Sequence, residues 1–449
     1  MKPRREICLA CGHRLLSEPL LQLSGMPASA QDIPVEEELA DDCGVELNLC
    51  QCPSCGLLQF DCEPVDYYRD VIRAVGLSET MRALRRADYR HMIDAYGLSG
   101  KKFIECGCGR GEFMEVLKEF PAEIYATEAN AEFAGDARKL LGSDCHVLHF
   151  FPENAGMQID GAPFDCFFSF NFLEHQPDPS AMLGCMYRNL APGGYGLITV
   201  PSFEYILQDG RYYELIRDHI ANYTLSSLGR LCRDCGFEIL ESGSIGIGDT
   251  LRVVVRKPLS DTVETAVHSA CMGILAAFQR EKRFSEGNAG ENAGEAVGRF
   301  GGVASGANTA KMTQIPMAEI PCDVSSLKQN YTDMREKMAA FTAHLKENGM
   351  KLALFGAGHQ GFTIAATTAL SEYAAYIMDS APFKQGRFAP ASHIPIVSPE
   401  YFAAHPVDVV MVTAPGYVKE ITAQLRKRYP DHPALRICTI EPESWPDIF

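Results

Sequence analysis

Four cysteines in two close pairs, two carboxylates around a glycine-rich turn and two histidines beside acidic residues are the parts of this chain best suited to chemistry. The pairs are Cys8 with Cys11 in "CLAC" and Cys52 with Cys55 in "CQCPSC". Each is followed by Gly, as a metal knuckle wants, and four thiolates spaced this way make a closed tetrahedral site for structural Zn2+, with no position open to water. Cys43 and Cys50 stand close enough in sequence to compete for the second pair's share of that site.

The turn lies in "FIECGCGRGEF", where Gly107, Gly109 and Gly111 alternate with other residues after Glu105. A dinucleotide loop reads G-x-G-x-x-G, with its third glycine one place later, to bring a pyrophosphate onto a helix N-terminus. This loop has the other spacing, and resembles the first motif of class I S-adenosylmethionine methyltransferases. Glycines there let the backbone approach the methionine part and the ribose, and Glu105 can accept from the ligand's ammonium or from an ordering water. Glu128 closes the next strand in "IYATEAN", where two carboxylate oxygens can take both ribose hydroxyls. Asn171, after the apolar run "FDCFFSF", joins the expected cofactor-binding set.

These residues need a scaffold, and from about residue 80 to 257 apolar strands alternate with helices, the pattern of a doubly wound α/β sheet. "SETMRALRRADYRHMIDAYG" reads as a helix capped by Ser78 and stopped by Gly97. "KKFIEC" and "EIYATEA" read as strands, and "APGGYGLITVPS" as a turn followed by a strand. Residues 1–79 form the zinc-ribbon domain and its connector. Residues 258–345 read as a helical connector with a flexible loop rich in Gly and Ala, and 346–449 as a second Rossmann-like domain. The latter opens with "FGAGHQG", whose Gly356, Gly358 and Gly361 keep dinucleotide spacing, and Asp379 ends its next strand. Taken alone that loop suggests NAD and an oxidoreductase.

Composition narrows the partners. A formal charge of −17 repels nucleic acid and anionic lipid surfaces. No apolar run approaches the roughly 20 residues that cross a bilayer, and "MKPRREICLACG" lacks the apolar core of a signal peptide. The 17 cysteines are scattered through expected core elements rather than framing a small secreted domain. Together these point to a cytoplasmic protein acting on a small molecule, its oligomeric state open.

Nearly the whole chain resembles the sugar C-methyltransferases that act on nucleotide-linked deoxy-keto-sugars. The resemblance rests on "CLAC" with "CPSCGLLQ", "ECGCGRGEF", "FDCFFSFNFLEHQPDP", "DHIANYTLSSLGRLCRDCGFEIL", and "FGAGHQG" followed by "DSAPFKQGRFAPASHIPIVSPE". It implies methyl transfer to a carbon beside a ketone, with S-adenosylmethionine as donor. The family's acidic residue and histidine fall on Asp218 and His219, which makes His219 the first choice for general base and His175 the second. The C-terminal domain is implied to hold substrate, through Gly356, Gly358, Gly361 and Lys384, with Arg252 reaching in from the central domain. The chain departs from the family at Ile216, where a tyrosine is usual, at "GDTLR" and "TAPGYVKE", and in "YYRDVIRAVGLSE". The acceptor therefore stays open, and a methyltransferase of oxygen or nitrogen is the alternative.

Overall fold

The structure, a computed structural model, describes residues 4–69, 78–259, 318–414, 417–430, 432 and 434–445. The helix expected in "DTVETAVHSACMGILAAFQREKRF" and the Gly/Ala-rich loop lie outside the described residues.

Along the chain come β1 (Leu21–Met26), β2 (Val45–Gln51), β3 (Leu58–Phe60), helix α1 (Glu79–Tyr96), β4 (Lys101–Cys106), α2 (Glu112–Leu117), β5 (Ala122–Glu128) and α3 (Ala131–Leu141). There follow β6 (Cys145–His149), β7 (Phe164–Phe170), α4 (Pro179–Asn189), β8 (Leu190–Pro201), α5 (Phe203–Gln208), β9 (Ala221–Asn222), α6 (Leu225–Asp234), β10 (Glu238–Ile245) and β11 (Thr250–Arg256). After the helix Ser325–Glu347 the chain forms β12 (Leu352–Phe355), β13 (Ile377–Met378), β14 (Ile396–Val397), β15 (Val409–Val412) and β16 (Arg436–Thr439).

Seven strands make the central sheet in the order β10-β11-β8-β7-β4-β5-β6, parallel except where β11 runs antiparallel to β8 and β10. Strand order reverses between β4 and β7, and the crevice outside such a switch point is where open α/β sheets bind ligands. β4 and β7 are interior strands covered on both faces, which is why "KKFIEC" and "FDCFFSF" read as near-continuous apolar runs. On one face Phe168 stacks with Phe103 and Phe170 at centroid distances of 5.7 and 5.5 Å, and Tyr89 of α1 meets Phe168 edge-on at 4.9 Å. α1 begins and ends as its sequence dictates: the Ser78 hydroxyl accepts from the Met81 amide, and Gly97 takes the left-handed conformation.

One turn is absent. "APGG" forms the first half of the long β8, in which Leu190 pairs with Phe164 and the register then shifts before Cys166 meets Tyr195. Gly193, with a φ of 77°, accommodates that irregularity, so the glycines serve a bulge rather than a turn.

The other two sheets clasp the central one. β1, β2 and β3 are joined by β9, which comes from the methyltransferase-like part of the chain. The last sheet is wholly parallel, in the order β14-β13-β12-β15-β16. The N-terminal part reaches it as well: Arg387 donates to the Ile33 carbonyl at 2.7 Å, and the Ala391 amide to Asp42 at 2.6 Å. No helix of the described residues is long and apolar enough to cross a membrane.

Candidate active site

At the end of β4 the backbone turns through Gly107, Gly109 and Gly111 with φ of 74°, 59° and 87°, all in the left-handed region that a side chain resists. Each glycine meets a different constraint. A Cβ on Gly107 would come within 2.7 Å of the Phe172 ring, and one on Gly111 within 3.2 Å of Ala137 on α3. Gly109 has open space around the same position, a cradle that any side chain would begin to fill. Glu105 is fully buried under the loop.

Glu128 ends β5 with both carboxylate oxygens aimed back at this turn. One accepts from the Gly109 amide and the other from the Asn130 amide, each at 2.8 Å. Asn130 then caps α3, its side chain accepting from the Glu132 and Phe133 amides. A carboxylate oxygen keeps lone pairs beyond one such bond, so Glu128 both shapes the cradle and retains acceptors for a pair of vicinal hydroxyls. Asn171 sits across the opening at the end of β7, its φ of 48° held by bonds in both directions to Thr199. The donor set and the open space at Gly109 fit S-adenosylmethionine.

Phe172, whose ring covers Gly107, leads three residues later into His175. His175 donates through Nδ1 to the Asp218 carbonyl at 2.8 Å, which leaves Nε2 with its lone pair. Its ring meets that of His219 edge-on, with centroids 4.9 Å apart. Burial lowers the pKa of His175, and burial followed by the nearness of His175 and His359 pushes His219 well below the usual imidazole range. Both rings are therefore held neutral.

Asp218 is held by the N-terminal part of the chain. Its carboxylate accepts from the Tyr67 hydroxyl at 2.5 Å and from the Ala30 amide at 2.9 Å, tying segment 217–219 to the N-terminal part of the chain. Arg217 reinforces the tie by donating to the Ala28 and Glu63 carbonyls. The link from Asp218 to the histidines runs through its backbone carbonyl instead. Tyr67 and Glu174 are the residues that sequence reasoning passed over, although both sit inside quoted stretches. Burial and the Asp218 charge push the Tyr67 phenol up, so it stays a donor, and burial raises Glu174 to about 8.

The N-terminal cysteines converge. The Sγ atoms of Cys8 and Cys55, and of Cys11 and Cys52, lie 3.5 Å apart, and all four fall within 4.8 Å of one another. A zinc tetrahedron with bonds near 2.3 Å has edges of about 3.8 Å, so the four residues fit such an ion. Cys50 and Cys43 stand outside the cluster, the first a buried thiol pushed up to about 12 by burial and the second exposed.

The remaining expected residues have other occupations here. Arg252, expected to bind substrate, pairs with Asp88 of α1 at 3.1 Å and with Glu241 of β10 at 2.9 Å, joining α1 to the sheet. Lys384 donates to the Ala357 carbonyl at 2.7 Å, and Asp379 accepts from the Ala357 and Ala381 amides at 2.8 Å. In a dinucleotide fold that aspartate would hold a ribose; here its two oxygens accept from its own loop much as those of Glu128 do, and Lys384 lies 3.4 Å from one of them. A Cβ on Gly361 would meet the Gly356 carbonyl and Thr413 Oγ1 at 2.7 Å, so this glycine serves close packing of helix His359–Thr367 against the sheet. Gly356 is similarly close to Thr413 and Ala414, whereas Gly358 has open space. The helix start faces the central domain, with Glu214 accepting from Gln360 at 2.6 Å and lying 3.0 Å from His359.

Comparison with known proteins follows the same division. A methyltransferase-domain family matches residues 79–242, and a family described as a C-methyltransferase C-terminal domain matches residues 311–432. The chain is 23% identical over 427 residues to C-methyltransferase NovU of Streptomyces niveus, covering 92% of this chain and 90% of that one. It is 28% identical over 160 residues to a ubiquinone biosynthesis O-methyltransferase of Aromatoleum aromaticum, 32% of this chain and 67% of that protein. A solved SAM-dependent methyltransferase of Aquifex aeolicus is 17% identical, covering 38% of this chain and 91% of its own, with a TM-score of 0.31. The sheet order, the turn after β4 and the family matches define a class I S-adenosylmethionine-dependent methyltransferase. More particularly, its residues 311–432 match the family described as a C-methyltransferase C-terminal domain, and it is similar to a C-methyltransferase over 92% of its length.

Proposed function

We propose that this enzyme methylates a carbon beside a ketone in a small molecule, in its sharpest form a nucleotide-linked sugar, with His219 as the base. The observation that carries the reading is the edge-on pair of imidazoles, a buried His175 locked by the Asp218 carbonyl and a half-buried His219 against it. Similarity to a C-methyltransferase along the whole chain supports the choice of carbon. Bound S-adenosylmethionine supplies an electrophilic methyl group on a sulfonium.

The chain's own residues do the rest. Glu128, Gly107, Gly109, Gly111, Asn171 and the buried Glu105 bind and orient the cofactor. A neutral His219 accepts the α proton at an imidazole nitrogen, and the resulting enolate carbon takes the methyl while the C–S pair returns to sulfur. His175 fixes the His219 ring and offers a second acceptor. Tyr67, a donor held by Asp218, stands on the connector that closes this side. Between the N-terminal loop, segment 215–217 and helix His359–Thr367 lies a cavity of about 10 Å³ lined by Met26, Ser29, Ala30, Ile216, His359 and Thr363. That space is about the size of one water, so an acceptor would have to widen it; on this reading the C-terminal domain holds the acceptor's far end, Gly358 giving backbone access and Lys384 fixing the loop. Such a site keeps water from the carbanion.

Zn2+ on Cys8, Cys11, Cys52 and Cys55 holds the N-terminal sheet, and the free cysteines among the described residues favour a cytoplasmic setting. Domain limits at residues 79, 257 and 345 complete the reading.

The test is wash-in of deuterium from D2O at the α carbon of candidate keto-sugar nucleotides, with S-adenosylhomocysteine bound, followed by NMR location of the methyl after turnover. Enzyme-dependent exchange and a new C–CH3 signal are expected. A methyl on oxygen without exchange would instead favour the O-methyltransferase reading suggested by the central-domain relatives.

A further inference from the structure

We infer that Glu174, His175 and His219 form a binding site for one divalent transition-metal ion, distinct from the four-cysteine cluster. One ligand atom from each of the three residues lies within 4.8 Å of the others. His175 presents Nε2, because Nδ1 already donates to the Asp218 carbonyl at 2.8 Å, the arrangement by which a backbone acceptor fixes the tautomer of a metal-binding imidazole. Glu174 Oε1 is 3.8 Å from that Nε2.

The independent sign of a ligand is Glu174 itself. It is 2% exposed, and its Oε2 has no hydrogen-bond partner among the described residues. A carboxyl group that burial keeps from ionising, with one oxygen unpartnered and the other beside His175 Nε2, lacks the partner that would offset the desolvation of its charged form, and a cation supplies it as the proton leaves. Ligand atoms at about 2.0–2.2 Å from a common tetrahedral ion are roughly 3.3–3.6 Å apart, so shifts of less than about 1 Å per atom would complete coordination. Two imidazoles and one carboxylate select zinc, cobalt, nickel or ferrous iron over magnesium or calcium.

Occupation has a consequence that rests on the proposed function. A metal takes the His219 lone pair that proton abstraction requires, so the metal-loaded enzyme is the inactive form. Binding itself is measured without turnover, and its failure is therefore separable from failure of the C-methylation reading.

The experiment titrates Co2+ into full-length protein whose cysteine site is already filled with zinc, following visible absorbance and metal content after gel filtration. One further equivalent per chain is expected, with ligand-field bands and without the intense thiolate charge-transfer absorption of a cysteine site. Glu174→Gln and His219→Asn are each expected to weaken it by at least about 100-fold, since even residues that merely orient a metal ligand are worth about 10- to 100-fold. S-Adenosylhomocysteine binding serves as the fold control in both variants. No uptake below millimolar cobalt, or uptake undiminished in both variants, overturns the site.

Discussion

Replacing Glu128 by Ala tests the cofactor site most directly, because one carboxylate is asked both to shape the turn and to hold the ligand. In the free protein its oxygens accept from the Gly109 and Asn130 amides at 2.8 Å. Removing it leaves two partly buried amides to find water, which costs about 1–2 kcal/mol of stability. On the proposed cofactor site the same oxygens would take two ribose hydroxyls in the bound state. Bonds to a charged group are worth about 1.5–3 kcal/mol each, so the lower end for two gives about 3 kcal/mol, or roughly 150-fold in affinity. Isothermal titration with S-adenosylhomocysteine measures that ratio, and thermal unfolding without ligand measures the structural part. A folded variant that binds within about threefold of wild type would refute the assignment, because two charge-assisted bonds cannot be lost so lightly.

Other substitutions divide roles that the site combines. His219→Asn is expected to cut methyl transfer by about 10²- to 10⁴-fold, as loss of a general base does, with S-adenosylhomocysteine affinity unchanged by calorimetry. Gly109→Ala should cost about 1–2 kcal/mol for a left-handed alanine, seen in chemical denaturation, and should also weaken cofactor binding because its methyl enters the open cradle. Arg252→Met should lower stability by about 3 kcal/mol by breaking a mostly buried pair with Asp88, while cofactor affinity stays within twofold. Cys52→Ser should empty the cysteine site, measured as zinc per chain, and depress turnover more than cofactor binding. The reason is that β3 of that sheet pairs with β9, which begins two residues beyond His219.

How far the sequence could lead depended on how local each determinant is. The cofactor turn was legible because alternating glycines and strand-end carboxylates act within one βαβ unit, and φ values above zero follow from glycine's missing side chain. The four cysteines were legible for the same reason, since a knuckle is a local turn and the fold had only to bring two of them together. What could not be read was any role set by long-range packing. Asp218 looks like the carboxylate partner of its neighbour His219, yet Ala30 and Tyr67, about 190 and 150 residues away, claim its oxygens. Its carbonyl, a group every residue carries and no motif records, orients His175 instead. Arg252 and Lys384 were placed in the substrate site by resemblance; which anions a fold brings beside a cation is set by long-range packing, and here these are Asp88, Glu241 and Asp379. The same reasoning explains "FGAGHQG": dinucleotide spacing requires only that a helix start close to a strand. That need is met here by packing against Thr413, so glycine spacing alone does not specify a nucleotide.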